Sequence, residues 1–417
     1  MKIYKFGGAS VKSANDIKNV SSILKNLEGD KIVVISAIGK ITNALEKLCR
    51  AYYNKENNIE LIFNESKIFH YMIVNQLFDD NDKIYNLLDL YFNNLYEKIH
   101  EEPSLIYNYE YDKIVSYGEI FSTLIVSEYL NKIGITNEWI DIRKVLKTDD
   151  KYREANILWD ISSEICKKTF IKGNTYICQG FIAATKTNIT TTLGREGSDY
   201  TGAILANILN ADSLSILKDV PGVMNADPKD YSDATIISHL SYKECIELAH
   251  FGAKVIHPKT LKPLENKNIP LHVKSFINPN EEGTLVDSRN LHNISKPIFI
   301  HKREQVLVTL SPRDFSFIGA EELRSLFRNF SLNNVKVNLV ESSAISFSIC
   351  CDYREEVLEE LFDNLKKDYS ILYNQEVELI TVRNYNSESL ERVCKDKDIL
   401  LEQKTRTTAR FIVNTRQ

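Results

Sequence analysis

Five short segments carry residue types suited to handling anions. The first is Lys5-Phe6-Gly7-Gly8-Ala9-Ser10. Its glycines let backbone N–H groups approach a negative charge with no Cβ in the way, and a following helix adds its positive end. Lys5 can neutralise a phosphoryl group there. The second is Ser36-Ala37-Ile38-Gly39-Lys40-Ile41-Thr42-Asn43, where the Thr42 hydroxyl suits either a helix cap or a substrate carboxylate. The third is Gly194-Arg195-Glu196-Gly197-Ser198-Asp199, followed by the helical YTGAILANIL. Arg195 offers a guanidinium fork for a carboxylate. Gly197, Ser198 and Asp199 stand at a helix start, where free backbone donors favour anions. An ordinary cap accounts for Ser198 or Asp199, but not for an arginine between glycines.

The fourth segment runs from Lys218-Asp219 through Pro221-Gly222 and Met224 to Asp227-Pro228-Lys229. Turn chemistry explains its prolines and glycine. Its lysines and acids suit a nucleotide's phosphates and sugar. The fifth, Gly252 to Pro258, adds Lys254, for which a solvated side chain is the simpler reading. No G-x-x-x-x-G-K-[ST] and no H-R-D-x-x-x-x-N occurs, which argues against a P-loop enzyme and a protein kinase.

These segments need a scaffold. Short runs rich in β-branched residues read as buried strands at Lys2–Phe6, Lys31–Ser36, Tyr176–Ile182, Ser213–Leu217 and Leu271–Phe276, with amphipathic stretches between them. Such alternation predicts an α/β domain with a mostly parallel sheet sandwiched by helices, over residues 1–285. Ser241 with Glu244 makes a capping box, and Gly252 stops that helix. Residues 51–111, rich in Asn, Tyr and Lys, read as an inserted helical subdomain with no chemistry of its own. A linker is expected over 286–303. Beyond it, QVLVTL, EELRSLFRNF, VKVNLV, AISFSI, EEVLEELFDNL and VELITVRN follow the β-α-β-β-α-β order of a ferredoxin-like α+β module. Modules are expected over 304–375 and, truncated after three strands, over 376–417.

The chain has 417 residues, 43% hydrophobic and 26% charged, and a formal net charge of −5. These are ordinary globular values. The mild acidity gives no electrostatic reason to expect nucleic acid or an anionic membrane as partner, so cations for an anionic ligand must be gathered locally. No apolar run is long enough to span a bilayer, and MKIYKFGG lacks the apolar core of a signal peptide. A cytoplasmic protein is expected. The seven scattered cysteines fit reduced thiols and offer no metal site.

Taken together, the order and spacing of the motifs resemble the aspartokinases of the amino-acid kinase fold. KFGGAS is similar to that family's KFGG-[TS]-S opening and GREGSDYT to its GRGGSD loop. KDVPGVMNADP and GAKVIHP resemble its nucleotide-side loops, and Tyr117-Gly118-Glu119 and Gln179-Gly180-Phe181-Ile182 its intervening segments. The C-terminal part resembles paired ACT modules. The resemblance implies ATP-dependent phosphorylation of the L-aspartate side chain to 4-phospho-L-aspartate. That is the step opening the lysine, threonine, methionine and diaminopimelate pathways, with ATP and Mg²⁺ as cofactors. By the same resemblance, Lys5 and Asp199 would be catalytic, and Thr42, Glu119, Arg195, Gly197 and Ser198 would hold aspartate. Glu119 would meet the α-ammonium and Arg195 the α-carboxylate. Gly7, Gly8, Ser10, Lys218, Asp219, Met224, Lys229 and Lys254 would line ATP.

Three departures from the family pattern carry expectations. Glu196 stands where the family loop has glycine, so its side chain is expected to point to solvent. Met224 occupies a place often held by an aromatic residue, which puts adenine stacking in doubt. At the regulatory end, acidic side chains that meet a lysine effector in sensitive relatives align with Asn338 and Ala344, so weak or altered lysine feedback is expected. A homodimer is the default assembly, and no fused homoserine dehydrogenase is expected. The alternatives are a kinase of the same fold for another acceptor, such as glutamate, N-acetylglutamate or UMP, and a non-catalytic amino-acid sensor.

Overall fold

The computed structural model describes residues 1–253, 256–289 and 296–415. They form two compact units. The first holds residues 1–223 and 236–246 and the described part of 255–290; the second holds 224–235, 247–253 and the described part of 291–417.

The strands of the first unit are β1 (Lys2–Phe6), β2 (Lys31–Ile35), β3 (Glu138–Ile140), β4 (Lys147–Thr148), β5 (Thr175–Gln179), β6 (Ile182–Thr185), β7 (Thr190–Thr192), β8 (Ser213–Lys218), β9 (His239–Ser241), β10 (Leu271–Ser275) and β11 (Thr284–Asp287). Eight of them make one sheet in the order β3-β5-β2-β1-β8-β10-β11-β9. Every neighbouring pair is parallel except β10 with β11. The central strands are buried along nearly their whole length, as KIYKF and KIVVI predict for strands covered on both faces. Register brings Phe6, Ile35, Gln179 and Leu217 level, so the chain leaves β1, β2, β5 and β8 at one edge. That edge is where open α/β sheets bind ligands.

Two helices lie against this sheet and begin near the same edge: Tyr117–Lys132 and Gly197–Leu209. The first is apolar almost all round its N-terminal half, with Ile120, Phe121, Leu124 and Ile125 buried. The helices Ile59–Val74 and Ile84–His100 of the expected insertion support it. Phe92 stacks on Phe121 at 4.0 Å, and the buried His70 ring sits 4.9 Å from Phe121. Burial pushes the His70 pKa down to about 4, so this histidine is a neutral core residue. A small sheet, β4-β6-β7, flanks the main one. The run predicted as one strand over Tyr176–Ile182 is broken at Gly180-Phe181, where Phe181 takes φ +68°, into β5 and β6.

The second unit contains β12 (Ile298–Pro312), β13 (Val337–Ser342), β14 (Phe347–Asp352), β15 (Tyr369–Arg383), β16 (Ile399–Lys404) and β17 (Thr408–Asn414). They form one antiparallel sheet in the order β13-β14-β12-β15-β17-β16. The expected ferredoxin-like order is present, but the division into modules differs. β12 and β15 are both 15 residues long and serve two modules each. Their C- and N-terminal halves respectively complete the β13-β14 module. Ile298–Lys302 of β12 then pairs with the second half of β15 and stands as fourth strand beside β15-β17-β16. The second module is therefore not short of a strand, and 298–303 is strand where a linker was expected. The charged run His301-Lys302-Arg303-Glu304 hid this, and the strand bends there: Glu304 takes φ +55°, and the facing Glu376 takes φ +57°.

Candidate active site

A cleft of about 840 Å³ opens at the shared strand edge of the first unit. Lys5, Gly7, Gly8, Ser10, Thr42, Glu119, Arg195, Gly197, Ser198, Asp199, Lys218 and Asp219 all line it. Twelve of the fifteen residues singled out from sequence thus share one cavity. Met224 and Lys229 belong to the second unit, and Lys254 lies outside the described residues.

Lys5 is the next-to-last residue of β1, so its side chain emerges at the strand tip. Its Nζ lies 2.6 Å from Asp199 Oδ1, and Lys218 Nζ at the end of β8 lies 3.6 Å from Oδ2. Burial alone would raise the Asp199 pKa, but the two ammonium groups outweigh it and hold the carboxyl below its usual range. The buried carboxylate therefore fixes two lysines at the cleft floor. It stands in the first turn of the helix Gly197–Leu209, where the helix dipole favours its charge as well.

The turn after β1 must pass close to the turn after β2. A Cβ on Gly8 would come within 2.6 Å of the Ala37 carbonyl and 2.8 Å of the Gly39 carbonyl, so only glycine fits. The Gly39 N–H donates to the Gly8 carbonyl at 3.0 Å and locks the two turns together. Gly180 has the same role opposite Ser198, whose Cβ would lie 2.4 Å from any side chain there. Ser10 is buried, and its hydroxyl has no partner among the described residues. Thr42 is not an N-cap: the helix Ile41–Tyr53 is capped at Lys40, which leaves the threonine hydroxyl for other use.

Glu119 sits in the first turn of Tyr117–Lys132 with 3% of its surface exposed. Its Oε1 accepts the Ala37 N–H at 3.4 Å; its Oε2 is buried with no partner among the described residues. Burial pushes its pKa up to about 8, against smaller opposing effects from the Ala37 N–H and Lys5. Glu196 does not point to solvent. Its Oε2 accepts the backbone N–H of His257, the N-cap of the helix Pro258–Glu265, at 2.9 Å. The left-handed backbone at Glu196, φ +53°, is one that glycine adopts without strain.

Asn108, Tyr111, Lys151, Tyr152, Arg153, Glu154, Phe181 and Thr192 also line the cleft. Asn108 and Tyr111 end the expected insertion, so that segment is not without contact with the chemistry. Apart from Phe181, which follows Gly180, no glycine turn marked these positions. The signal available was the polar, aromatic run DDKYREAN just after a buried strand.

The sequence profile of the amino acid kinase family matches residues 1–275. Lysine-sensitive aspartokinase 3 of Escherichia coli (strain K12) is 32% identical over 358 residues, which is 84% of this chain and 78% of that protein. A bifunctional aspartokinase/homoserine dehydrogenase of Buchnera aphidicola is 31% identical over 91% of this chain, which spans 47% of that longer protein. Among solved structures, E. coli aspartokinase III in complex with lysine and aspartate (T-state) superposes with a TM-score of 0.83 at 26% identity. The match covers 99% of this chain and 96% of that one. The same enzyme with aspartate and ADP (R-state) gives 0.82 over the same shares. Family profile, sequence relatives and whole-chain superposition agree with one another: the chain belongs to the amino acid kinase family and, within it, to the aspartokinases.

Proposed function

We propose that the cleft transfers the γ-phosphoryl group of ATP to the side-chain carboxylate of L-aspartate, giving 4-phospho-L-aspartate. The observation that carries this reading is a pairing in one cavity: a lysine pair fixed on buried Asp199, and a buried glutamate oxygen with no partner among the described residues. The first suits a phosphoryl group, the second an α-ammonium.

The β-carboxylate of aspartate is ionised at neutral pH, so it needs no general base. What remains is positioning and charge neutralisation. Glu119 takes the α-ammonium and Arg195 the α-carboxylate. The hydroxyls of Thr42 and Ser198, beside Gly197, complete the grip, and this fixes which carboxylate faces the nucleotide. Lys5, held by Asp199, neutralises the group in transfer, and Lys218 adds charge beside it. The bare turn at Gly7-Gly8 lets main-chain donors and the free Ser10 hydroxyl approach phosphate oxygens. When bound with the nucleotide, Mg²⁺ would neutralise phosphate charge. Among the described residues there is no group of three His, Cys, Asp or Glu that could hold a metal; of the residues that line the cleft, Asp199 and Asp219 would help to hold the ion. The assignment of Met224, Lys229 and Lys254 to the nucleotide rests on the sequence resemblance.

Among the described residues no helix is long and apolar enough to cross a membrane, and we place the enzyme in the cytoplasm. A homodimer about a two-fold axis is the assembly we propose by default. Lysine feedback is weak or altered. The Asn338 amide already donates to Gln305 and Asp352 at 2.7 Å each and accepts from Lys302, and Ala344 lies exposed in a turn. Neither offers a carboxylate to an effector ammonium.

A coupled ADP-release assay over aspartate, glutamate, N-acetylglutamate and UMP tests the reading, with lysine, threonine and methionine added in turn. Turnover is expected with aspartate. Turnover with glutamate and not aspartate would overturn it, and strong inhibition by sub-millimolar lysine would contradict the feedback proposal.

A further inference from the structure

The cleft holds a second arginine whose placement the motifs do not explain. Arg153 is half-buried, lines the cavity, and has a left-handed backbone with φ +69°. That conformation is costly for a residue with a side chain and persists only where its surroundings impose it. Here the surroundings are identifiable. Asp112 is wholly buried, and both its oxygens point at two cleft-lining residues. They accept the Arg153 N–H at 3.0 and 3.2 Å, the Thr192 N–H at 2.9 Å and the Thr192 hydroxyl at 2.7 Å. The Ala155 N–H then donates to the Thr192 carbonyl at 3.0 Å. One carboxylate thus ties the turn at Arg153 to β7, immediately before the loop that bears Arg195.

The guanidinium is guided as well as the backbone. Its carbon lies 4.1 Å from the ring centroid of Tyr111, the residue before Asp112. Neighbouring cations are occupied: Lys151 pairs with Glu154 at 3.6 Å, and Lys259 donates to the Leu193 carbonyl at 3.1 Å. Arg153 and Arg195 have no carboxylate within ion-pair distance among the described residues. Their backbones are adjacent, since a Cβ on Gly194 would meet the Arg153 carbonyl at 3.1 Å. Both therefore stand on one side of the cleft, and the Lys5–Asp199–Lys218 cluster forms its floor.

We propose that Arg153 is a second carboxylate-binding group of the cleft, gripping the α-carboxylate of the amino-acid substrate together with Arg195, and that Asp112 and Tyr111 are the positioning residues that hold it there. Two guanidiniums around one carboxylate make the substrate side demand a free α-carboxylate, and α-amides or peptides of aspartate are refused. The proposal rests on aspartate being the substrate.

The strain supplies a clean test. Arg153→Gly removes the guanidinium and also relieves the left-handed backbone, so it separates binding from folding. In steady-state assays of the full chain, R153G is expected to raise KM for aspartate at least tenfold, leave KM for ATP within twofold, and melt no lower than wild type. Arg153→Lys, the second variant, keeps charge without the fork and is expected to fall between. Asp112→Asn is expected to raise KM for aspartate in the same sense, and the R153G/D112N pair to be no worse than R153G, since both act through one group. An active wild type with R153G unchanged in KM for aspartate, or altered in KM for ATP instead, overturns the proposal alone. A wild type that ignores aspartate overturns the functional reading and this proposal with it.

Discussion

Glu119 in the first unit and Glu378 in the second are both glutamates with little exposed surface, 3% and 6%. Around Glu378, burial works to raise the pKa, but His301 at 3.0 Å, with Lys397 and Arg303 beyond, outweighs it and holds the carboxyl below its usual range. Around Glu119 no cation comes within ion-pair distance among the described residues, and burial wins. The difference teaches where to look for function. A charge that the fold surrounds with partners is part of the architecture. A charge the fold buries and leaves unmatched is waiting for something the chain does not supply. Gln305, Asn338 and Asp352 likewise satisfy one another in the sheet of the second unit, whereas Ser10 Oγ and Glu119 Oε2 in the cleft have no partner among the described residues.

The contrast can be broken in several ways. The largest effect is expected at the floor of the cleft. Lys5→Ala should lower kcat by about 10³-fold or more with the protein still folded, because the removed charge acts on the group in transfer; steady-state kinetics with circular dichroism checks this. Next come the two glutamates. Glu119→Gln should raise KM for aspartate by roughly 10²-fold, the order expected when a charged pair to substrate is lost, whereas Glu378→Gln should leave KM alone and destabilise the fold by about 3 kcal/mol as its cations lose their partner. Denaturant titrations separate the two outcomes.

The pH dependence should differ in sign as well. An unfolded chain gives up the Glu119 proton near 4.5, but the folded cleft keeps it to about 8. The folded state therefore binds more protons across that window, and the stability this group contributes falls as pH rises through it. E119Q, which cannot ionise, should gain in melting temperature over wild type between pH 5 and 8. For Glu378 the folded pKa is depressed, so its contribution is present above the unfolded value and lost in acid, and the deficit of E378Q should shrink as pH falls. The same titration acts on substrate: KM for aspartate should fall with rising pH from 6 to 8, by less in total than the E119Q effect, and level off above, as Glu119 becomes ready to ionise.

Much of this was legible in the sequence because phosphate-handling turns have local signatures. Lys5, Gly8, Arg195 and Asp199 stand in short motifs whose glycines and helix starts encode their own geometry, and the parallel sheet followed from its β-branched runs. What stayed hidden is non-local. Asp112, Arg153 and Thr192 are brought together from separate stretches, and nothing in any one of them marks a left-handed arginine. Glu196 was misjudged because its partner, the backbone N–H of His257, is 61 residues away. The shared strands β12 and β15 escaped notice because a charged run crosses the bend in β12 and the pairing that completes the second module comes from upstream of the first.

The function of the cleft turns on what Glu119 does when aspartate arrives. Calorimetric titration of aspartate into the full chain, saturated with a non-hydrolysable ATP analogue, can be run at pH 7 in buffers of different ionisation enthalpy, which counts protons exchanged on binding. Release of close to one proton per aspartate is expected from wild type, and E119Q is expected to lose that release. Aspartate binding with no proton released by wild type would contradict this role for Glu119.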